Sequence, residues 1–112
     1  MKFVCLVYGE EHLMATVPDA ECIANAVTLQ SKGHYVAAEA LRPVRDAVTV
    51  RVRDGAMSVI DGPFAETKEQ LAGFYLVEAK DLEEAVQIAS RIPPARIGSI
   101  EVRPTYQIED TR

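Results

Sequence analysis

The sequence predicts an α+β fold in which one antiparallel sheet carries two helices on the same face. Three observations lead there. Strand-like segments of five to seven residues recur along the chain, separated by short turns. Two stretches with a helical period each sit between such segments. A hairpin signal, Asp54-Gly55, lies midway between the two helices. The resulting order, β-α-β-β-β-β-α-β, contains the split βαβ pattern of a ferredoxin-like arrangement.

Each element has a local reason. Lys2–Tyr8 is rich in apolar, aromatic and β-branched residues and reads as a strand ended by Gly9. Glu10–Val17 reads as a loop. A helix is expected over Pro18–Lys32, with Thr16 or Val17 as N-cap and Pro18 in the first turn. Asp19 and Glu21 suit its positive end. Ile23, Ala26, Val27 and Gln30 mark its expected inner face, with Ala24 and Leu29 beside it, and Gly33 is a C-cap signal. His34–Ala38 is a short strand, followed by a loop over Glu39–Asp46. In Ala47–Arg53, Val48, Val50 and Val52 alternate with Thr49, Arg51 and Arg53. Asp54-Gly55 turns this strand into Ala56–Ile60, and Asp61-Gly62-Pro63 breaks it. Thr67 to Gln70 fits a capping box, which predicts one helical turn to Leu71. Gly73–Ala79 is a further strand. Asp81 to Glu84 opens a second helix reaching about Ile92, with Leu82, Ala85, Val86, Ala89 and Ile92 as its buried stripe. Pro93-Pro94 stops it, Ser99–Arg103 is the last strand, and Pro104–Arg112 is a tail.

Composition removes several classes of function. The chain has 112 residues, which suits one domain. Acids outnumber bases 17 to 12, so the basic footprint of a nucleic-acid binder is missing. Its apolar runs fall far short of the ~20 residues that span a bilayer. Met1–Tyr8 is too short and too quickly followed by Gly9-Glu10-Glu11 to be a signal peptide. Cys5 and Cys22 are too few for a disulfide framework or a metal cluster and read as small core residues. The expected setting is the cytoplasm, without nucleic acid or membrane as partner.

The strands also bear on assembly. Two helices cover one sheet face, so the other face of a monomer should be polar. Lys2–Tyr8 is instead apolar on both sides, with Phe3, Cys5 and Val7 opposed to Val4, Leu6 and Tyr8. Gly73–Ala79 repeats this, with Phe74 and Leu76 opposed to Tyr75 and Val77. A two-fold homodimer through the sheet would cover the second face. The competing reading is a central strand covered by loops of its own chain.

Few residues carry a chemical signal. His12 and His34 have no partners at metal-ligand spacing, so no metal site is expected. No phosphate loop, dinucleotide fingerprint or serine elbow occurs, and no cofactor is implied. The dense polar segment is Asp61–Gln70, which holds Asp61, Glu66, Lys68 and Glu69 directly after a strand. A carboxylate held beside an ammonium in a cleft would be a general acid/base pair. Asp61, Glu66 and Lys68 are therefore the candidate catalytic residues. Arg51, Glu69 and His34 are candidate binding residues for a small-molecule ligand. Asp-Gly-Pro should aim Phe64 away from Asp61 and bury it as an anchor. The competing reading of the segment is a solvated charge run with a turn-forming aspartate.

The stretch DGPFAETKEQLAGFYLVEAKDLEEAVQIASRIP resembles the DGPF branch of the YCII-related protein family. The opening MKFVCLVYGEE, the Gly33–Leu41 segment, TVRVRDG and GSIEVRP fit the same pattern, so the resemblance spans nearly the whole chain. It implies a ferredoxin-like domain that dimerises through its sheets into an α/β barrel. It implies little about activity. A sister branch pairs an aspartate with a histidine on the first helix, which aligns near Cys22 to Asn25 here. No histidine stands there, so that pair does not carry over. Two functions follow from the resemblance: a small enzyme working through the Asp61–Gln70 segment, or a non-catalytic module in extracytoplasmic-function sigma-factor signalling.

Overall fold

The computed structural model describes residues 1–110 of the 112. The last two residues of the expected tail lie outside the described residues. In chain order the elements are β1 (Lys2–Gly9), α1 (Glu11–Met14), α2 (Asp19–Ser31), β2 (Tyr35–Ala40), β3 (Val48–Arg53), β4 (Ala56–Asp61), β5 (Gln70–Glu78), α3 (Leu82–Ser90) and β6 (Ser99–Pro104). Single 3-10 turns occur at Val44–Asp46 and Pro93–Arg96. Four strands form one antiparallel sheet in the order β2-β5-β1-β6, and β3-β4 form a separate two-stranded ribbon. With that ribbon set aside the chain runs β-α-β-β-α-β, and each α-helical crossover skips one strand. This is the ferredoxin-like arrangement the sequence predicts.

The core lies between the sheet and the helices. Phe3, Cys5 and Val7 of β1 and Tyr75 and Val77 of β5 point inward. They meet Leu29 of α2, then Ala85, Ile88 and Ala89 of α3, and Ile92 beyond its end. Phe3 pairs across the strands with Val77, and Cys5 with Tyr75. Full burial of side chains of this size contributes roughly 1.5–3 kcal/mol each.

Several local signals act as the residues require. Asp81 Oδ1 accepts from the Glu84 N–H at 2.9 Å, and Glu84 Oε1 accepts from the Lys80 N–H at 2.9 Å, so both ends of the cap are satisfied. At the end of α2 the Gly33 N–H reaches the Gln30 carbonyl and the His34 N–H reaches the Leu29 carbonyl. These two bonds make a Schellman closure, and Gly33 takes the positive φ of 77° that it needs. Asp54 and Gly55 both have positive φ, as a tight turn matched to strand twist requires.

Other expectations are corrected. Residues 11–14 form a short helix rather than loop. On α2 the inner stripe is Cys22, Asn25, Ala26 and Leu29, while Ile23 and Val27 face solvent. Pro18 holds the N-cap, without a side-chain cap bond. On α3, Ile88 replaces Leu82 and Val86 in the buried stripe, because the spacing from Ala85 through Ile88 and Ala89 faces the sheet. The helical turn expected over Thr67–Leu71 does not form. Gln70 and Leu71 pair instead with Gly9 and Tyr8, so β5 begins three residues earlier than expected. Thr67 Oγ1 donates to the Glu69 carbonyl, and Gln70 Nε2 donates to the Thr67 carbonyl. Phe64 is not an anchor: it is 77% exposed. It lies outside the core cluster, with the Arg51 guanidinium over its ring, 5.5 Å from the centroid.

Candidate functional site

The residues singled out in the sequence occupy separate places. Asp61 closes β4 and shares the Val48 side of the ribbon. Arg51 lies on the opposite side, over Phe64. Glu66 and Lys68 are exposed, and neither makes an ion pair among the described residues. Glu69 accepts from Ser99 Oγ at 2.8 Å, in a shallow depression with Tyr8, Thr67 and Glu101. His34 stands where α2 hands over to β2, and its Nδ1 lies 2.8 Å from the Glu78 carbonyl oxygen. That contact ties β2 to the end of β5. Asp61, Glu66 and Lys68 therefore do not meet His34 in one cleft.

The structure assembles a different constellation. Between α2 and the sheet lies a cleft of about 320 Å³, lined mainly by apolar groups including Val7, Met14, Ala26 and Ala38. Cys22 enters it from α2, Tyr35 from β2 and Tyr75 from β5. Gly73 permits this geometry, since a Cβ there would press on the Glu39 carbonyl at 2.8 Å. Glu39 borders the cleft too, yet it pairs with Phe74, which places its side chain on the other sheet face. The cleft therefore has no carboxylate aimed into it from β2.

Its polar groups are held neutral. Burial pushes the Tyr75 hydroxyl up, and the neighbouring Cys22 and Tyr35 add to this, while Asn25 opposes it. Burial also pushes the Cys22 thiol up, reinforced by the Asp19 and Glu21 carboxylates, with Arg96 pulling the other way. Arg96 is itself paired with Glu21. These causes together favour the neutral thiol of Cys22 over its thiolate. The Asn25 side chain lies beside Tyr75, but its buried Nδ2 has no acceptor in hydrogen-bond geometry. An unmet buried donor of this kind costs about 1–3 kcal/mol, and Asn25 lines another cleft, between α2 and α3, rather than this one.

A second cleft, of about 350 Å³, runs between α2 and α3. Lys32, His34, Lys80 and Arg91 line it together with Asp81, Glu83 and Glu84, and the mixed signs select no charge of ligand. Among the described residues no three His, Cys, Asp or Glu side chains gather as metal ligands would. No described helix is long and apolar enough to cross a membrane.

Comparison with known proteins gives the family. The sequence profile of the YCII-related domain matches residues 1–109. The chain belongs to the YCII-related family. An uncharacterised protein of Rhizobium meliloti (strain 1021) is 38% identical over 115 residues, covering 93% of this chain and 91% of that protein. The sequence reading did not single out Tyr35 and Tyr75, which line the cleft under α2. The available signal was a tyrosine on the inward-facing side of a core strand, where a polar tip has to find a partner.

Proposed function

We propose that this YCII-related protein is a cytoplasmic homodimer that binds a small, largely apolar molecule bearing one carbonyl or hydroxyl group. The observation that carries this reading is that Cys22, Tyr35 and Tyr75 bring their polar tips to the otherwise apolar cleft under α2. A ring or short aliphatic body would replace water against the apolar lining. Its oxygen would accept from the Tyr75 hydroxyl. Neutral donors suit an uncharged ligand better than an anion, because nothing in the cleft would repay the desolvation of a charge. Clefts near 300 Å³ are at the small end for ligand sites, which sets the ligand's size. The two free cysteines, Cys5 and Cys22, are in keeping with a reducing compartment. The half-buried Val4, Leu6, Tyr8, Phe74 and Leu76 on the sheet face opposite the helices support a dimer through that face. Asp61, Glu66 and Lys68 belong to the proposal as acid and base groups that act on a ligand only where another surface closes over them. Sigma-factor signalling would be the alternative use of the same binding domain.

The test is titration of the labelled protein with acetophenone, followed by amide chemical shifts. Shifts are expected at Cys22, Tyr35 and Tyr75, and Tyr75→Phe should weaken binding about five- to tenfold, the worth of one hydrogen bond. Shifts confined to the α2–α3 cleft or to residues 61–70, or none at all, would refute the reading.

A further inference from the structure

Among the described residues, the ribbon β3–β4 pairs with no strand of the main sheet and adds no residue to the core. Val50 pairs with Val59 and Val52 with Met57, and together with Val48 they form one continuous apolar side. All five are 54% to 70% exposed. A lone two-stranded ribbon is marginal in water, and one with a bare apolar side is worse. The whole chain bears the mark of this. A compact monomer of 12.3 kDa should expose roughly 6,100 Å². This chain exposes 8096 Å². Its radius of gyration is 16.0 Å, against about 13 Å expected for this length. The surplus, on the order of 2,000 Å², exceeds the ~800 Å² that each partner buries in a standard interface.

We propose that β3–β4 is an arm that clasps a second copy of this chain, its valine side lying on that copy. This rests on the homodimer proposed above and names the part of the chain that completes it. The occupant is a second copy because the chain itself offers a matching apolar area, the open sheet face with Leu6 and Phe74 at its centre. A two-fold pair covers both uncovered surfaces of both chains at once. Any other partner of the arm leaves the open sheet face still to be covered. The arm also carries Asp61 on its docking side and the Arg51–Phe64 contact on its outer side. The Asp-Gly-Pro-Phe segment thereby stands at the boundary between copies, where a cleft closed by two chains can form.

The experiment compares the full-length chain with Val50→Asp/Val59→Asp and with Leu6→Asp by sedimentation equilibrium and far-ultraviolet circular dichroism. The unaltered chain is expected at twice 12.3 kDa. The double variant should dissociate at least 100-fold more readily while keeping its helical signal, since neither valine touches the core. A monomeric unaltered chain overturns the dimer and the arm together. A dimer that survives the arm substitutions but is lost with Leu6→Asp overturns the arm alone. As a check that needs no variant, a mixture of ¹³C-labelled and unlabelled chains should show intermolecular NOEs to the Val50 and Val59 methyls. Their absence in a dimeric sample also overturns the arm.

Discussion

Alkaline pH should destabilise this protein, in part through one buried thiol. Cys5 sits mid-strand in β1, between Tyr75 of β5 and Val102 of β6, and is wholly buried. Burial alone pushes its thiol from an ordinary value of 9.0 up to about 11. The folded protein therefore holds this proton more tightly than the unfolded chain does. Below pH 9 the thiol is neutral in both states and its stabilisation is complete. As the pH rises toward 11 the unfolded chain gains by ionising and the folded one gains far less, so stability falls. At about 1.4 kcal/mol per pH unit, and with the folded thiol itself half ionised at its own pKa, the loss reached by pH 11 comes to about 2 kcal/mol. Total stabilities of ~5–15 kcal/mol make this a large fraction. Cys5→Ala removes the titration and adds a packing cost that does not vary with pH. Cys22 and Tyr75 titrate in both proteins and cancel in the difference. Urea unfolding of both proteins in reductant, at one protein concentration and from pH 7.5 to 11, measures the gap between them. The gap should shrink by about 2 kcal/mol across that range. A gap that stays constant would refute the assignment of the effect to the buried thiol.

Two further outcomes follow from local contacts. Phe64→Ala should change stability by under ~1 kcal/mol, because an exposed ring under a guanidinium is worth no more than that; a loss of several kcal/mol in a denaturant titration would mean that Phe64 is buried in solution. Asp81→Ala should cost about 1 kcal/mol by removing the bond to the Glu84 N–H, and thermal melting of the two proteins side by side would show it.

Much of the fold was legible because it is written in short-range chemistry. Gly33, Asp54-Gly55 and the Asp81–Glu84 box each specify their own backbone geometry, and the structure uses all three as the residues require. The inner face of α2 was not legible, because apolar residues ring that helix nearly all round and Ile23 and Val27 compete with Cys22 and Leu29 for the core side. Thr67–Gln70 carries a local helical signal that loses to pairing with Tyr8 and Gly9, which lie some sixty residues away. The candidate site failed to show for a related reason. Asp61–Gln70 draws attention by its density of charge, whereas the cleft is built from single residues of α2, β2 and β5 that share no local pattern. Phe64 looked like an anchor because an aromatic in a polar run is expected to be buried; nothing in the sequence indicates that the ribbon beside it projects beyond the core.

The sheet order has a consequence for how the protein is made. β1 precedes the other described strands in the chain, yet its neighbours are β5 and β6, the two that lie farthest along it. Residues 10–69 must emerge before the first partner appears, and the second is complete only at Pro104. At about 5–20 residues per second that is several seconds or more during which Phe3–Tyr8 has no strand to pair with. The segment contains no proline and no charge, the features that usually restrain such stretches from pairing with other chains. Folding that depends on contacts this distant is also slow. The growing chain is thus most exposed to aggregation at β1, and a factor that shields this strand during translation should raise the yield of folded protein more than one that acts after release.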